Sequence, residues 1–291
     1  MFNVRGRTAH LAWYRTDEAV ADVAFLHGFS DSAQCWEPLL AEIPGIQALA
    51  IDARGHGISG LPDGPLSYPE LSDDAALVLS SQPREGGMIL VGHSMGAMTA
   101  AYLAAARPDL VRAVVLEDPP TGEPPTDQPD EPAEPGEPAE PGQPGQPNET
   151  GEPAEPAQPM SGPPPWLADL QALDLPSRIA QARSNDPTWP TDELTPWAIS
   201  KAQVNPHLFD QPFQKPSPLT ALLAAITRPV LLIHGDTTRG SLISPAYANR
   251  CAQAAAADFR AIHIPNAGHS VHRDNRPHYL TELTTFLNDH R

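Results

Sequence analysis

The stretch Met88-Ile-Leu-Val-Gly-His-Ser-Met-Gly96 carries an apolar strand directly into Gly-X-Ser-X-Gly, and the run from Ala97 to Arg107 behind it has the composition of a helix. Few architectures accommodate a strand that becomes a helix within one tight turn. Gly92 and Gly96 leave room for that turn, on which Ser94 takes a strained backbone conformation and presents its hydroxyl above the sheet. The first N–H groups of the helix point at the same place, so the Met95 amide is a candidate oxyanion donor. Ser94 is the candidate nucleophile. A Gly-X-Ser-X-Gly match also occurs in ordinary glycine-rich turns; the strand before it and the helix after it separate the two readings.

The same alternation runs through much of the chain. Short apolar runs at Asp22 to Leu26, Gln47 to Ile51, Met88 to Val91, Arg112 to Leu116, Pro229 to Ile233 and Phe259 to Ile264 read as buried parallel strands. Amphipathic or alanine-rich segments at 33–42, 68–81, 95–107, 245–257 and 275–289 supply the crossover helices. The pattern predicts an α/β fold with a doubly wound, mostly parallel sheet. Thr8 to Thr16 is expected to add one antiparallel edge strand.

Residues 119–165 interrupt this pattern with 17 prolines, and Glu-Pro-Ala-Glu-Pro recurs in three places. From Pro129 to Pro159 a proline stands at every third position except Thr150, the period of a polyproline II helix. The expected role is an extended, solvated acidic spacer; the alternative is a docking site for a proline-recognising protein partner. Residues 166–226 regain a globular composition and read as a helical cap inserted after the sixth strand. The cap is expected to set Trp166, Trp189 and Trp197 around an apolar, substrate-binding pocket above Ser94. The core is then 1–118 together with 227–291.

With 36 acidic against 18 basic side chains the net charge is −18, which repels nucleic acid and anionic membrane surfaces. Ten of the acidic residues lie in 119–160 with no Lys or Arg, so much of that charge is local. Basic residues near the N-terminus are not followed by an apolar segment, and the apolar runs elsewhere are strand-sized, so a soluble, cytoplasmic protein is expected. Cys35 and Cys251 have neither metal-ligand nor disulfide spacing and read as core residues.

A serine hydroxyl needs a base, and that base needs a third group to hold it. His269, in Ile264-Pro-Asn-Ala-Gly-His-Ser270 just beyond the last strand, is the candidate base, with His272 a second choice. The second oxyanion donor is expected from the loop His27-Gly28-Phe29-Ser30-Asp31, where Gly28 permits close approach and the Phe29 N–H points inward. Asp52 and Arg54, in the next loop, are assigned to bracing loops near the pocket.

Together His27-Gly28-Phe29, Asp52-Ala-Arg-Gly-His-Gly57, Gly92-His-Ser-Met-Gly96, His234-Gly235-Asp236 and Ala267-Gly268-His269 resemble the α/β-hydrolase-fold superfamily, specifically its esterase, lipase and lactonase branches. The resemblance implies a Ser, acid, His triad in that chain order, a two-amide oxyanion hole and a variable cap. Chemistry on such a triad calls for no metal and no organic cofactor, and the sequence signals none. A serine in the elbow separates the chain from branches similar to haloalkane dehalogenases and epoxide hydrolases, which use Asp there. The chain departs from many relatives at the acid, because the position three residues after the glycine that follows the seventh strand is Thr238. Two carboxylates remain open, Asp236 in that same loop and Asp118 at the end of the sixth strand. The expected activity is hydrolysis of a carboxylic ester, lactone or thioester of a small to medium apolar molecule. Acyl transfer or C–C cleavage on the same residues is the enzymatic alternative; a non-catalytic ligand-binding protein is the alternative of a different class.

Overall fold

The computed structural model describes residues 2–82, 84–123 and 162–291. Among the described residues eight strands build one sheet: β1 (Val4–Thr8), β2 (Leu11–Arg15), β3 (Val23–Leu26), β4 (Ala48–Ile51), β5 (Met88–His93), β6 (Val111–Glu117), β7 (Val230–His234) and β8 (Phe259–His263). Their order is β1-β2-β4-β3-β5-β6-β7-β8. From β4 to β8 all neighbours pair in parallel, whereas β1 with β2 and β2 with β4 are antiparallel. The helices are α1 (Glu37–Ala41), α2 (Tyr68–Ser81), α3 (Met95–Ala106), α4 (Pro165–Ala172), α5 (Leu175–Asn185), α6 (Thr191–Gln203), α7 (Leu219–Ala225), α8 (Pro245–Ala254), α9 (Val271–Asp274) and α10 (Arg276–His290).

The central strands are apolar throughout because both faces of the sheet are covered. Along β5, Met88 and Leu90 pack under α2, α3, α7 and α8, while Ile89 and Val91 pack against α1 and α10. That two-sided cover is the doubly wound arrangement the sequence pattern predicts. Helix starts follow local chemistry: Ser67 accepts from the Glu70 amide at the head of α2, and Ser244 from the Tyr247 amide at the head of α8.

The N-terminus departs from expectation. In place of one strand over 8–16 there is a hairpin, β1 and β2, whose turn holds Ala9 at φ 53°. A non-glycine residue in the left-handed region carries no turn signal in the sequence, so the hairpin was not legible there. Most of the proline-rich stretch at 119–165 lies outside the described residues. Its first residues do pack on the core: Thr121 accepts from the Leu219 amide and the Tyr247 hydroxyl, and Glu123 from the Thr220 hydroxyl. Both Cys35 and Cys251 are buried free thiols, and burial raises the pKa of each, Cys251 to about 12. Among the described residues no helix is long and apolar enough to cross a membrane.

Candidate active site

Ser94 sits between β5 and α3 with φ 51° and ψ −114°, outside the regions that an L-residue ordinarily occupies. The turn is as tight as its glycines suggest. A Cβ on Gly96 would fall on the Leu26 carbonyl oxygen, and one on Gly92 on the Gly96 carbonyl oxygen. Helix α3 thus lies against the end of β3, and the serine is pushed out over the carboxyl edge of the sheet, where loops of a parallel α/β sheet gather.

Three side chains meet at that edge. The Ser94 hydroxyl donates to His269 Nε2 at 2.9 Å, and His269 Nδ1–H donates to Asp118 Oδ2 at 2.6 Å. Asp118 itself lies at φ 41° immediately after β6 and is fully buried. Its carboxylate also accepts from the Ser241 hydroxyl at 2.6 Å and the Leu242 amide at 2.9 Å. Those bonds fix the carboxylate, which fixes the imidazole tautomer that leaves Nε2 facing the serine. Asp236, the other candidate, is not at His269. It accepts from the His263 ring at 2.7 Å and the Asn266 amide at 2.8 Å, closer to the surface. His272, the second choice for a base, is buried beneath the site, where its Nδ1–H and backbone N–H donate to Glu117.

Among the described residues the Phe29 and Met95 amides have no hydrogen-bond partner, and Phe29 and Ser94 line the same cavity. His93 joins the parts. Its Nε2–H donates to the His269 carbonyl at 3.0 Å, and its ring fills the space that a Cβ on Gly28 would need. The elbow, the Phe29 loop and the His269 loop are therefore in mutual contact. Burial lowers the pKa of His93 to about 3, so the ring stays neutral against the neighbouring imidazole. Farther back, Asp52 accepts from the Ala33 and Ile58 amides, and Arg54 Nε donates to Asp74 at 2.6 Å.

Above Ser94 is a cavity of about 370 Å³ lined by Phe29, Ser30, Asp31, His93, Trp166, Trp197, Lys201, His269, Ser270 and Arg273 as well as by the serine. Trp166 and Trp197 stand in its wall as expected. Trp189 does not. It packs with Ala182 and Leu194 in the cap's own core and donates its indole N–H to Asp274 Oδ1 at 2.7 Å. The cavity wall is mostly apolar but not throughout, because Lys201 of α6 and Arg273 of α9 enter it and pair with Asp31 at 2.6 and 2.8 Å. Burial opposes the charge on Asp31, yet Arg273 and Lys201 hold its carboxyl well below the ordinary range. The sequence reading named neither cation. Spacing was the available signal: Lys201 follows Trp197 by four residues on one helix, and Arg273 follows His269 by four.

A family model described as the alpha/beta hydrolase family matches residues 23–282, and the chain belongs to that family. It is 39% identical over 95 residues to the 2-(acetamidomethylene)succinate hydrolase of Mesorhizobium japonicum (strain LMG 29417 / CECT 9101 / MAFF 303099), covering 32% of this chain and 34% of the relative. Lipase LipV of Mycobacterium tuberculosis (strain ATCC 25618 / H37Rv) is 38% identical over 102 residues, covering 34% and 37%. The chain thus matches about a third of the length of these relatives. The fold extends further. A crystal structure of E-2-(acetamidomethylene)succinate hydrolase superposes with a TM-score of 0.67 at 22% identity, over 98% of this chain and 99% of that one.

Proposed function

We propose that this chain is a serine hydrolase that cleaves a carboxylic ester, lactone or thioester through an acyl-enzyme. The observation that carries this reading is the hydrogen-bonded series Ser94–His269–Asp118, set beside the Phe29 and Met95 amides, which have no hydrogen-bond partner among the described residues. Esterases, lipases and other hydrolases among the relatives support the reaction class.

Ser94 Oγ attacks the carbonyl carbon while its proton passes to His269 Nε2, and the carbonyl electrons move onto the oxygen. The Phe29 and Met95 amides stabilise that oxyanion. Asp118 stabilises the imidazolium without taking its proton. Collapse expels the alcohol or thiol, protonated by His269, and leaves Ser94 acylated. Water then enters, gives its proton to His269 and adds to the acyl carbon; the second collapse returns the proton to Ser94 and releases the acid. The cycle needs no cofactor.

Ser94→Ala should lower kcat on p-nitrophenyl esters by about 10⁶-fold, as loss of a triad nucleophile does. A folded Ser94→Ala protein with wild-type turnover, or wild-type protein that a fluorophosphonate fails to label at Ser94, would overturn the reading.

A further inference from the structure

The cavity wall carries an ionic cluster that the acyl-transfer chemistry does not use. Asp31, on the Phe29 loop, takes Lys201 on Oδ1 and Arg273 on Oδ2. Arg273 Nε reaches Glu193 at 3.3 Å, and Glu193 is also held by Arg276, which in turn pairs with Asp192 and Glu42. Asp192 and Glu42 are about half exposed, with side chains 55% and 49% accessible, so water screens them. The buried members of the cluster are three cations, Lys201, Arg273 and Arg276, against two carboxylates, Asp31 and Glu193.

Asp192 and Glu42 meet Arg276 directly at 2.9 Å, and Asp274, next to Arg273 in the chain, adds a carboxylate held by the neutral Gly268 amide and Trp189 indole, so the cluster as a whole has no surplus of cations. What the cavity wall offers a ligand is unused donors on Lys201 and Arg273. Lys201 Nζ gives two of its three hydrogens to Asp31 and to the Ser30 carbonyl. Arg273 uses Nε and Nη2, and among the described residues its Nη1 has no partner. Trp197 and Trp189 hold these two cations on their ring faces at 4.8 and 5.1 Å.

We propose that the cavity takes a substrate bearing a carboxylate, held by Arg273 Nη1 and Lys201 Nζ while its ester carbonyl sits at Ser94. This rests on the serine-hydrolase reading for the second half of the statement and not for the first. The substrate class is a monoester of a short dicarboxylic acid, small enough for about 370 Å³. The net charge of −18 does not forbid an anion there, because exposed charges fade within about 8 Å at physiological salt whereas buried ones are screened far less. If the cluster only latched the cap to the core, an anionic and a neutral ligand of the same shape would bind alike.

The test uses the full chain with two readouts. In calorimetry, glutarate should bind at least tenfold more tightly than dimethyl glutarate, and Lys201→Gln, checked for folding by circular dichroism, should erase the difference. In turnover, kcat/KM for mono-p-nitrophenyl glutarate should exceed that for its methyl ester by tenfold or more, through KM. Equal binding of glutarate and its diester to wild-type protein would overturn the anion site, and that comparison does not depend on any variant folding. Glutarate binding without hydrolysis or fluorophosphonate labelling would overturn the hydrolase reading and leave the anion site standing. Cleavage of both esters at equal rates would do the reverse.

Discussion

The floor and the roof of the cavity are built by different physics. The floor is the carboxyl edge of the sheet, where Ser94 and Asp118 are held at positive φ by strands buried on both faces and His269 is fixed by hydrogen bonds on both ring nitrogens. The roof is made of short helices joined to the core by ion pairs and aromatic contacts, with Trp166 about half exposed and Trp189 enclosed. A rigid floor suits steps that demand one geometry. A roof assembled from separate helices can change its lining while the floor stays intact, so on the proposed reading the reaction class would belong to one and substrate choice to the other.

The sharpest way to break this comparison is at the acid. Asp118→Asn should lower kcat by about 10⁴-fold with the fold intact, because the imidazole loses its tautomer-fixing partner. Asp236→Asn, whose side chain bonds the His263 ring and the Asn266 amide, should stay within about twofold of wild type, as a change near the surface does. Equal losses in a p-nitrophenyl ester assay would place Asp236 in the machinery. The roof is tested by its tryptophans. Trp189→Ala should cost about 3 to 5 kcal/mol in urea unfolding, the range for emptying a packed aromatic site. Trp166→Ala should cost under about 0.5 kcal/mol and raise KM, because its ring faces the cavity and solvent.

The remaining test is in pH. Burial lowers the pKa of His56, His93 and His272 from 6.5 to about 3, so the folded state resists protons that the unfolded chain accepts. Their contribution is complete above pH 6.5 and declines as pH falls toward 3, by on the order of 1 kcal/mol per pH unit for each. Glu117, raised by burial, works in the opposite direction. Urea midpoints should therefore fall between pH 6.5 and 5, and His56→Phe should flatten the slope. A slope unchanged in that variant would remove His56 from the account.

Much of the floor could be read from the sequence because it is local. The elbow is nine consecutive residues, the strands are apolar runs, and His269 follows the last of them. What could not be read depends on distant partners. The orientation of Asp118 comes from its turn at φ 41° and from Ser241 and Leu242, more than a hundred residues away in the chain. The hairpin depends on Ala9 taking a conformation that alanine rarely adopts. The charged wall needs Asp31, Lys201 and Arg273, each from a different segment, and no window of sequence contains them together.

Ser94 and Asp118 share a further property, since each is a non-glycine residue held in backbone space that suits glycine better. Such positions cost of order 1–3 kcal/mol apiece, so Ser94→Gly should make a sturdier protein, whereas Asp118→Gly would also strand the Ser241 hydroxyl and the Leu242 amide. On the proposed reading, a library of this chain sorted only for heat resistance would lose Ser94 first, and turnover is what would keep that side chain where the backbone favours none.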